Sequence, residues 1–262
     1  MFKTILFWGA LALIFVSGCS DTPEGPLTGE LNLYIQDGVA DYDSVYLTID
    51  SIATRSTLPS SNWTTIFAGS KSFDLASLRN GAKFLLLQRD FPVGEIGWIK
   101  VTFSGGHIIV DGDTYNLHFP DTFSVPGIAE GTVVITKDRI ASALIDVDLF
   151  SSISYNSTDD IYGFDPVIRF IDIDSSGAIF GTTSPQVDIY IFEADSTDTL
   201  SYAISEGVLN AFGFFGLPQG FYDILCLPRG ADTLTYQPLL NENIPVIAGD
   251  EYDMGSLELI SR

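Results

Sequence analysis

Short runs of alternating apolar and polar residues recur along the chain from about residue 30 onward. In the first run Leu31, Leu33 and Ile35 fall on one face, and residues 45–50 and 98–103 repeat the pattern. Successive side chains of a strand point to opposite faces, so such runs are typical of sheets with one solvent-exposed face. The pattern predicts an all-β chain.

Turn-forming residues separate these runs. Asp111-Gly112-Asp113 stands between residues 107–110 and 114–117 and predicts a β-hairpin. Residues 150–155 favour a single helical turn. Further strands are predicted at 132–136, 143–149, 167–170 and 178–180. Strands at this spacing indicate an antiparallel sandwich or barrel, and we expect two antiparallel β-sandwich domains.

The first 18 residues have the parts of a bacterial signal peptide. Lys3 gives the start a positive charge, and residues 4–16 are almost entirely apolar. This run is shorter than the roughly 20 residues that span a bilayer, which fits a cleavable signal peptide over residues 1–18. A short membrane anchor, or an ordinary signal peptide with a chance cysteine, are the alternatives.

The next feature is a cysteine motif. Val16-Ser17-Gly18-Cys19 resembles the lipobox of bacterial lipoprotein precursors. The resemblance implies cleavage before Cys19, a diacylglycerol on its thiol and a further acyl chain on its new amine. Two or more acyl chains hold a protein firmly at a membrane, whereas one chain binds only marginally.

Residues 19–28 are polar and rich in Pro and Gly, which predicts a tether. Ser20, a non-acidic residue after the cysteine, resembles lipoproteins that are sorted to an outer membrane. We therefore expect a lipid-anchored protein of the cell envelope, at the outer membrane rather than the inner one.

The composition is strongly acidic, with 12 Lys+Arg against 34 Asp+Glu and a net charge of −22. Loss of Lys3 with the signal peptide makes the mature chain one charge more negative still. Nucleic-acid binding depends on Lys and Arg that neutralise phosphates, so we expect no nucleic-acid partner. The acidity favours either divalent-cation binding or solubility at a crowded surface, and we prefer the second.

The chain has two cysteines. Cys19 is the predicted site of lipid attachment, which leaves Cys226 without a partner for an intramolecular disulfide. Cys226 lies in an apolar, strand-like run, and a buried structural thiol is the expected state.

From Gly29 to about Thr182 the chain resembles the bacterial lipoprotein family known as domain of unknown function 4382. The resemblance depends on the order of several short pieces, which include residues 40–45, 62–66, 73–75, 91–94, 145–148 and 165–169. Lys100 departs from the family, which often has Arg there. The family implies a fold and a lipoprotein context but no activity.

Residues 183–262 form a second predicted domain. Residues 211–224, with the turn Leu217-Pro218-Gln219-Gly220, are similar to the signature of the carboxypeptidase regulatory-like, transthyretin-like β-sandwich. That resemblance implies a spacer or a binding appendage. The predicted organisation is a signal peptide (1–18), a lipidated tether (19–28), a lipoprotein β-sandwich (29–182) and the smaller sandwich (183–262).

Candidate chemistry is sparse. His107 and His118 lie on the two arms of the predicted hairpin, where zinc would need three or four ligands. Aspartates recur in pairs, and residues 172–177 match part of a calcium loop without the later Glu of an EF-hand. Calcium at an inter-strand loop stays open as an alternative. We predict no catalytic residue, no metal site and no cofactor.

A ligand face is predicted around Trp98. If the apolar residues of its strand face inward, Trp98 shares the outer face with Lys100, and Tyr34 and Tyr46 occupy the outer faces of their own strands. An exposed aromatic surface often marks a contact with a ligand or partner. The alternative is that a loop or the second domain covers Trp98. Trp63 is expected to cap the core.

These features predict a membrane-anchored, non-catalytic binding or scaffold lipoprotein of the bacterial cell envelope. A glycan-binding surface lipoprotein is the alternative, and a glycosidase-type hydrolase is a weaker one. The expected partners are the membrane, through the lipid anchor, and a glycan or another envelope protein.

Replacing Cys19 with Ala should abolish incorporation of radioactive fatty acid, because the acceptor thiol is gone. Labelled cells expressing either the wild type or the variant measure this directly. Cys226→Ala is the matched control and should keep full label. Undiminished label in Cys19→Ala would contradict lipid attachment at this residue.

Overall fold

The computed structural model describes residues 25–38, 41–120 and 124–262. The predicted signal peptide, the lipobox residues Val16, Ser17, Gly18 and Cys19, and residues 19–24 of the tether lie outside the described residues. The described part is all-β, as the alternation predicts, and its helical segments are single turns. Within these ranges no helix has both the length and the apolar character that crossing a membrane requires.

The first structural unit contains the strands from residue 28 to residue 172. They are β1 (Thr28–Gly38), β2 (Ser44–Arg55), β3 (Thr64–Asp74), β4 (Phe84–Pro92), β5 (Gly94–Val110), β6 (Asp113–His118), β7 (Val125–Ile135), β8 (Ile140–Asp148), β9 (Ile153–Asn156), β10 (Ile161–Phe164) and β11 (Ile168–Asp172). A 3-10 turn (Leu75–Leu78) follows β3, and the helical turn α1 (Leu149–Ser152) follows β8.

The second unit contains the remaining strands. They are β12 (Gly177–Ser184), β13 (Val187–Glu193), β14 (Thr199–Ile204), β15 (Ala211–Leu217), β16 (Gly220–Pro228), β17 (Leu239–Val246) and β18 (Glu251–Glu258). The 3-10 turn Ile173–Ser175 leads into this unit, and another, Gly230–Leu234, lies within it.

Two sheets enclose the core of the first unit. The smaller has the strand order β11-β8-β1-β4, and the larger has the order β3-β2-β5-β6-β10-β9, with β7 also paired to β5. Apolar residues of both sheets share one buried cluster, to which Leu33, Leu47 and Phe103 belong. Every position that the alternation assigned to the interior in residues 31–36, 45–50 and 98–103 is buried, so these predictions are confirmed.

The hairpin predicted around Asp111 is present between β5 and β6. Asp111 and Gly112 have φ values of 51° and 84°, and Val110 pairs with Asp113. Two central residues with positive φ define the type I′ turn that matches the twist of the strands.

The predicted helical turn over residues 150–155 is shorter in the structure. It ends at Ser152, and the Asp148 side chain caps its start by accepting a hydrogen bond from the Ser151 amide at 3.0 Å. From Ile153 the chain continues as β9, because the buried Ile153 pairs in register with Phe164 of β10.

Most strand pairs are antiparallel, as the sequence predicted, but three pairs are parallel. β1 runs parallel to β8, β6 to β10 and β12 to β18. Alternation shows which side chains face inward, but it does not show in which direction the neighbouring strand runs.

The second unit packs the sheet β14-β13-β16-β17 against the sheet β15-β12-β18. The predicted turn at Pro218 joins β15 to β16, and the Tyr222 hydroxyl donates a hydrogen bond to the Pro218 carbonyl at 2.7 Å. Cys226 is fully buried in this core, and its burial raises the pKa of the thiol to about 12.

The boundary between the units differs from the predicted one at 182/183. That boundary cuts β12, whose hydrogen-bonded partners are β15 and β18, and whose Ile179 belongs to the second core. We place the division at the 3-10 turn Ile173–Ser175 instead. The sequence does not reveal the position of this boundary, because β12 has the same alternation of buried and exposed residues as strands of both units.

A charged network lies at the carboxyl end of β1, where the two units meet. Arg169 Nε and Nη2 donate to Asp146 Oδ2 at 2.8 and 2.6 Å, and Gln36 Nε2 donates to Asp146 Oδ1 at 2.9 Å. Asp146 is 1% exposed. A buried carboxylate is tolerated only with partners of this kind, so the network satisfies a charge that would otherwise be costly.

Asp37 lies beside this network without such partners. It is 4% exposed, and neither carboxyl oxygen has a hydrogen-bond partner within the described ranges. Burial, and then the charge of Asp146, raise the pKa of Asp37 well above its ordinary value. The Leu149 amide and the Arg79 guanidinium oppose this shift, although the amide does not reach hydrogen-bonding geometry.

Replacing Asp37 with Asn should therefore raise the free energy of unfolding at pH 8 by ~1–2 kcal/mol and flatten its dependence on pH. Because burial raises the pKa of Asp37 in the folded state, the folded protein binds this proton more tightly than the unfolded chain does. The stabilisation from this proton is complete below about pH 4, the unfolded pKa, and is lost as the pH rises through the folded pKa. Urea unfolding between pH 4 and about pH 9 measures the effect.

Two variants serve as controls for this experiment. Asp198→Asn removes an exposed carboxylate and should leave the pH dependence unchanged. Asp146→Asn should destabilise the protein, because Arg169 would lose its charged partner. An Asp37→Asn profile that matches the wild type would show that Asp37 is ionised in the folded state.

Candidate functional site

A cleft of about 680 Å³ lies at one end of the first unit. Its walls come from the end of β2, the start of β3, the end of β4 and the start of β5. β3 and β4 are edge strands of the two sheets, so the cleft opens where the sandwich is not closed by hydrogen bonds. Arg89 Nη1 of β4 donates to the Ile66 carbonyl of β3 at 3.1 Å and bridges this opening.

Two turns shape the rim of the cleft. The β4–β5 turn contains Pro92 and Gly94, and Gly94 has a φ of 148° that a residue with a side chain rarely adopts. On the other side, Ser61 Oγ donates to the carbonyls of Ser56 and Leu58, each at 2.7 Å, and holds the β2–β3 loop in a compact turn.

The lining combines hydrogen-bonding and apolar groups. Its ionisable side chains are Arg55, Arg89 and Glu95. Phe91, Pro92, Val93, Leu58, Ile66 and Ile96 supply the apolar surface. Hydroxyl and amide side chains supply further donors and acceptors, namely Thr54, Ser56, Thr57, Ser61, Asn62, Thr64 and Thr65. This volume and mixture are typical of sites that bind small or extended ligands.

Two tryptophans and two cations form a cluster beside the cleft. The Arg55 guanidinium lies over both rings, 5.0 Å from the Trp63 centroid and 4.9 Å from the Trp98 centroid. The Lys100 ammonium lies 4.8 Å from the Trp63 centroid. Arg55 pairs directly with Trp98 across β2 and β5, so the strand register itself sets this contact. Contacts of this kind are attractive because the ring face is electron-rich.

The structure places Trp98 and Lys100 on the predicted outer face, but Tyr34 and Tyr46 do not lie near them. Tyr46 lies nine residues before Arg55 on β2, roughly 30 Å away along the strand, and Tyr34 belongs to the other sheet. The three aromatic residues therefore do not form one ligand face. The error has a simple cause: the alternation identifies an outer face for each strand but does not show which sheet carries it.

Each of these three rings is also covered on one side. Arg55 covers Trp98, Lys83 lies 5.2 Å from the Tyr34 centroid, and His107 stacks on Tyr46 at 4.7 Å. Trp63, which was expected to cap the core, is half-buried among the cations of the outer face. The cluster is thus a packed surface rather than an open aromatic platform.

The histidines and acidic pairs lie outside this site. The two-residue hairpin loop places His107 and His118 on one face, and His107 contacts Tyr46. Across residues 25–38, 41–120 and 124–262, no three His, Cys, Asp or Glu side chains are grouped as metal ligands. In the candidate calcium loop, Asp172 accepts a hydrogen bond from the Asp174 amide, which is a local turn contact.

Sequence reasoning missed the cleft and the role of Arg55. The Phe91-Pro92-Val93-Gly94 segment, one of the pieces that carry the family resemblance, forms the β4–β5 turn that lines the cleft. The arginines gave no signal, because neither Arg55 nor Arg89 belongs to a basic run.

Fold and site together define an all-β protein of two sandwich units with an open cleft at one end. The chain belongs to the family described as Domain of unknown function (DUF4382), whose family model matches residues 28–166. This confirms the family resemblance of the first unit. No curated protein matches the chain. The resemblance of the second unit to the carboxypeptidase regulatory-like sandwich stays a prediction.

The chain matches several solved structures of bacterial proteins at low similarity. The Bacillus anthracis TIE protein is 11% identical, with 89% of this chain and 34% of that chain covered and a TM-score of 0.24. BcpA, the major pilin subunit of Bacillus cereus, is 12% identical, with coverages of 89% and 70% and a TM-score of 0.26. A putative cell adhesion protein from Parabacteroides distasonis is 10% identical, with coverages of 86% and 84% and a TM-score of 0.25.

The matched region spans about a third of the TIE protein's own length.

Replacing Arg55 with Met in a Trp63→Phe background should at least double the quenching of Trp98 by acrylamide. The guanidinium that covers the ring would be lost, while the chain length stays similar. Steady-state fluorescence measures the change. Arg139→Met, which removes an exposed cation away from the tryptophans, is the matched control and should have no effect. Equal quenching in all three proteins would show that Arg55 does not shield Trp98.

Proposed function

We propose that this protein is a lipid-anchored, non-catalytic binding or scaffold protein of the bacterial cell envelope. The lipobox at Cys19 and the polar tether support the anchor. The all-β architecture supports a scaffold role, because rigid sandwiches position binding surfaces at fixed distances. The acidic composition keeps such a protein soluble at a crowded surface.

The cleft beside the β4–β5 turn is the observation that carries this proposal. Its 680 Å³ are bounded by rigid strand ends and by a hydrogen-bonded loop, so the site is largely formed before a ligand arrives. Preformed sites avoid the entropic cost of ordering a loop on binding. The cleft thus has the properties of a recognition site.

The ionisable groups of the lining favour binding over catalysis. The lining holds one carboxyl group, that of Glu95, together with the guanidinium groups of Arg55 and Arg89. Glycoside hydrolysis uses two carboxylates on opposite sides of the bond. The lining of this cleft supplies one, which weakens the hydrolase alternative for this site.

Glycan binding is the second candidate, and the polar lining favours it. Seven hydroxyl or amide side chains line one cleft, which suits a ligand that itself carries many hydroxyl groups. A sugar cannot stack on the face of the Trp98 ring that the Arg55 guanidinium covers.

Photo-crosslinking tests the cleft as a binding site. A photoreactive amino acid in place of Leu58, which is 67% exposed at the rim, should give a discrete adduct in living cells. The same amino acid in place of Leu234, which is 82% exposed on the second unit, is the matched control. Equal adducts at both positions, or none at residue 58, would reject the cleft, and the mass of a specific adduct separates a glycan from a protein.

A further inference from the structure

We propose that the cleft end of the first unit docks on the headgroup surface of the membrane that holds the anchor. This inference rests on the proposed lipid anchor at Cys19. The lipid would attach the protein to the membrane, and the docking would fix the orientation of the protein relative to the bilayer. Four features of the described residues support it: the entry point of the tether, the distribution of charge, the exposed apolar groups and the position of the second unit.

The tether enters the fold at the rim of the cleft. The Leu27 carbonyl accepts a hydrogen bond from the Val93 amide at 2.9 Å, and Val93 lines the cleft. Leu27 stands eight residues after Cys19. Such a stretch spans at most about 29 Å when fully extended. The lipid anchor therefore keeps the rim close to the bilayer, where even weak contacts are made at high effective concentration.

The cleft end is the electrically neutral pole of an acidic protein. It comprises residues 25–30, 53–66, 88–100 and 130–140, the segments at the start of β1 and around it. These segments contain five basic residues, Arg55, Arg89, Lys100, Lys137 and Arg139, and five acidic ones, Glu30, Asp90, Glu95, Glu130 and Asp138. The whole net charge of −22 thus arises elsewhere in the chain. An anionic bilayer repels the rest of the molecule far more than this end.

The same end presents side chains that suit a membrane interface. Leu27, Leu58 and Val93 are 49%, 67% and 43% exposed around the rim. Trp63 and Trp98 lie next to it with Arg55 and Lys100. Tryptophan prefers the headgroup region, and Lys and Arg reach phosphates while their stems contact apolar surface. Apolar, aromatic and cationic groups together match the chemistry of an anionic headgroup layer.

The second unit lies at the opposite end of β1. Its residues Ser201, Tyr202 and Phe214 border the cavity at Gln36 and Asp37. Gln36 and Asp37 lie about nine positions beyond the start of β1, which is roughly 30 Å along the strand. Docking of the cleft end therefore directs the second unit away from the bilayer, so the second unit does not compete for the surface.

Chemical anchoring gives a direct test. The mature chain from Cys19 to Arg262 can be coupled through the Cys19 thiol to maleimide lipids in vesicles of phosphatidylglycerol and phosphatidylcholine. Cys226 will not compete, because it is fully buried and its pKa is raised to about 12. The mature chain contains two tryptophans, Trp63 and Trp98. A nitroxide quencher on the lipid headgroup should therefore reduce their emission at least twofold in the coupled protein.

Charge reversal at the docking end supplies the matched pair of variants. Lys137→Glu with Arg139→Glu alters the exposed β7–β8 loop beside the tether and should restore most of the emission. Lys83→Glu with Arg262→Glu makes the same change in net charge elsewhere and should leave the quenching intact. Because neither pair touches the tryptophan cluster, the variants change the docking and not the probe.

Two results would overturn the docking proposal: unquenched emission in the coupled wild type, or equal loss of quenching in both variant pairs. Either would leave the lipid anchor in place, because coupling here is chemical and does not depend on lipidation in the cell. Absence of fatty-acid label on Cys19 in cells would instead remove the anchor. The two failures are therefore distinguishable.

Discussion

The parallel pairing of β1 with β8 is the constraint on which the rest of this structure depends. At their amino ends, the pair brings the start of β1, where the predicted tether would enter, next to the loop that precedes β8. At their carboxyl ends, it brings Gln36 opposite Asp146, which Arg169 of β11 then neutralises. Removing one partner of such a buried pair leaves an uncompensated charge. One strand pair thus sets both ends of the first unit, one for the tether and one for the second unit.

The junction of the two units is built from several contacts that all lie at the carboxyl end of β1 and β8. Phe150 stacks on Tyr202 at 4.7 Å, Arg79 forms an ion pair with Glu206 at 3.0 Å, and Arg229 pairs with both Asp41 and Asp188. Single exposed ion pairs contribute little, but here they surround a stacked aromatic pair and a buried network. Asp37, whose carboxyl oxygens have no hydrogen-bond partner among the described residues, lines the same small cavity as Tyr202 and Phe214 of the second unit.

Much of the first unit could be predicted from the sequence, and the reasons for the remaining errors are physical. Alternation located the inward faces of β1, β2 and β5 because burial imposes a period of two on each strand. The Asp-Gly turn located one hairpin because its backbone conformation excludes most residues. Strand direction, the sheet that β12 joins and the distance between Tyr34 and Trp98 depend on long-range pairing. Local sequence patterns contain no information about that pairing, so the sequence did not predict the cleft or the arginines that line it.

The uneven distribution of charge becomes apparent only in the folded structure, because the strand pairing brings residues that are distant in sequence to the same end of the first unit. In the sequence the five cations of the cleft end are scattered between residues 55 and 139 and lie among acidic residues. The β1–β8 pairing and the β2–β5 register bring them to the end where the tether enters. A uniformly acidic protein would be repelled by an anionic membrane in every orientation, whereas a neutral pole makes one orientation less unfavourable than the others. Because that pole also holds the cleft, a ligand of this site would be recognised close to the bilayer, and the second unit would extend outward from it.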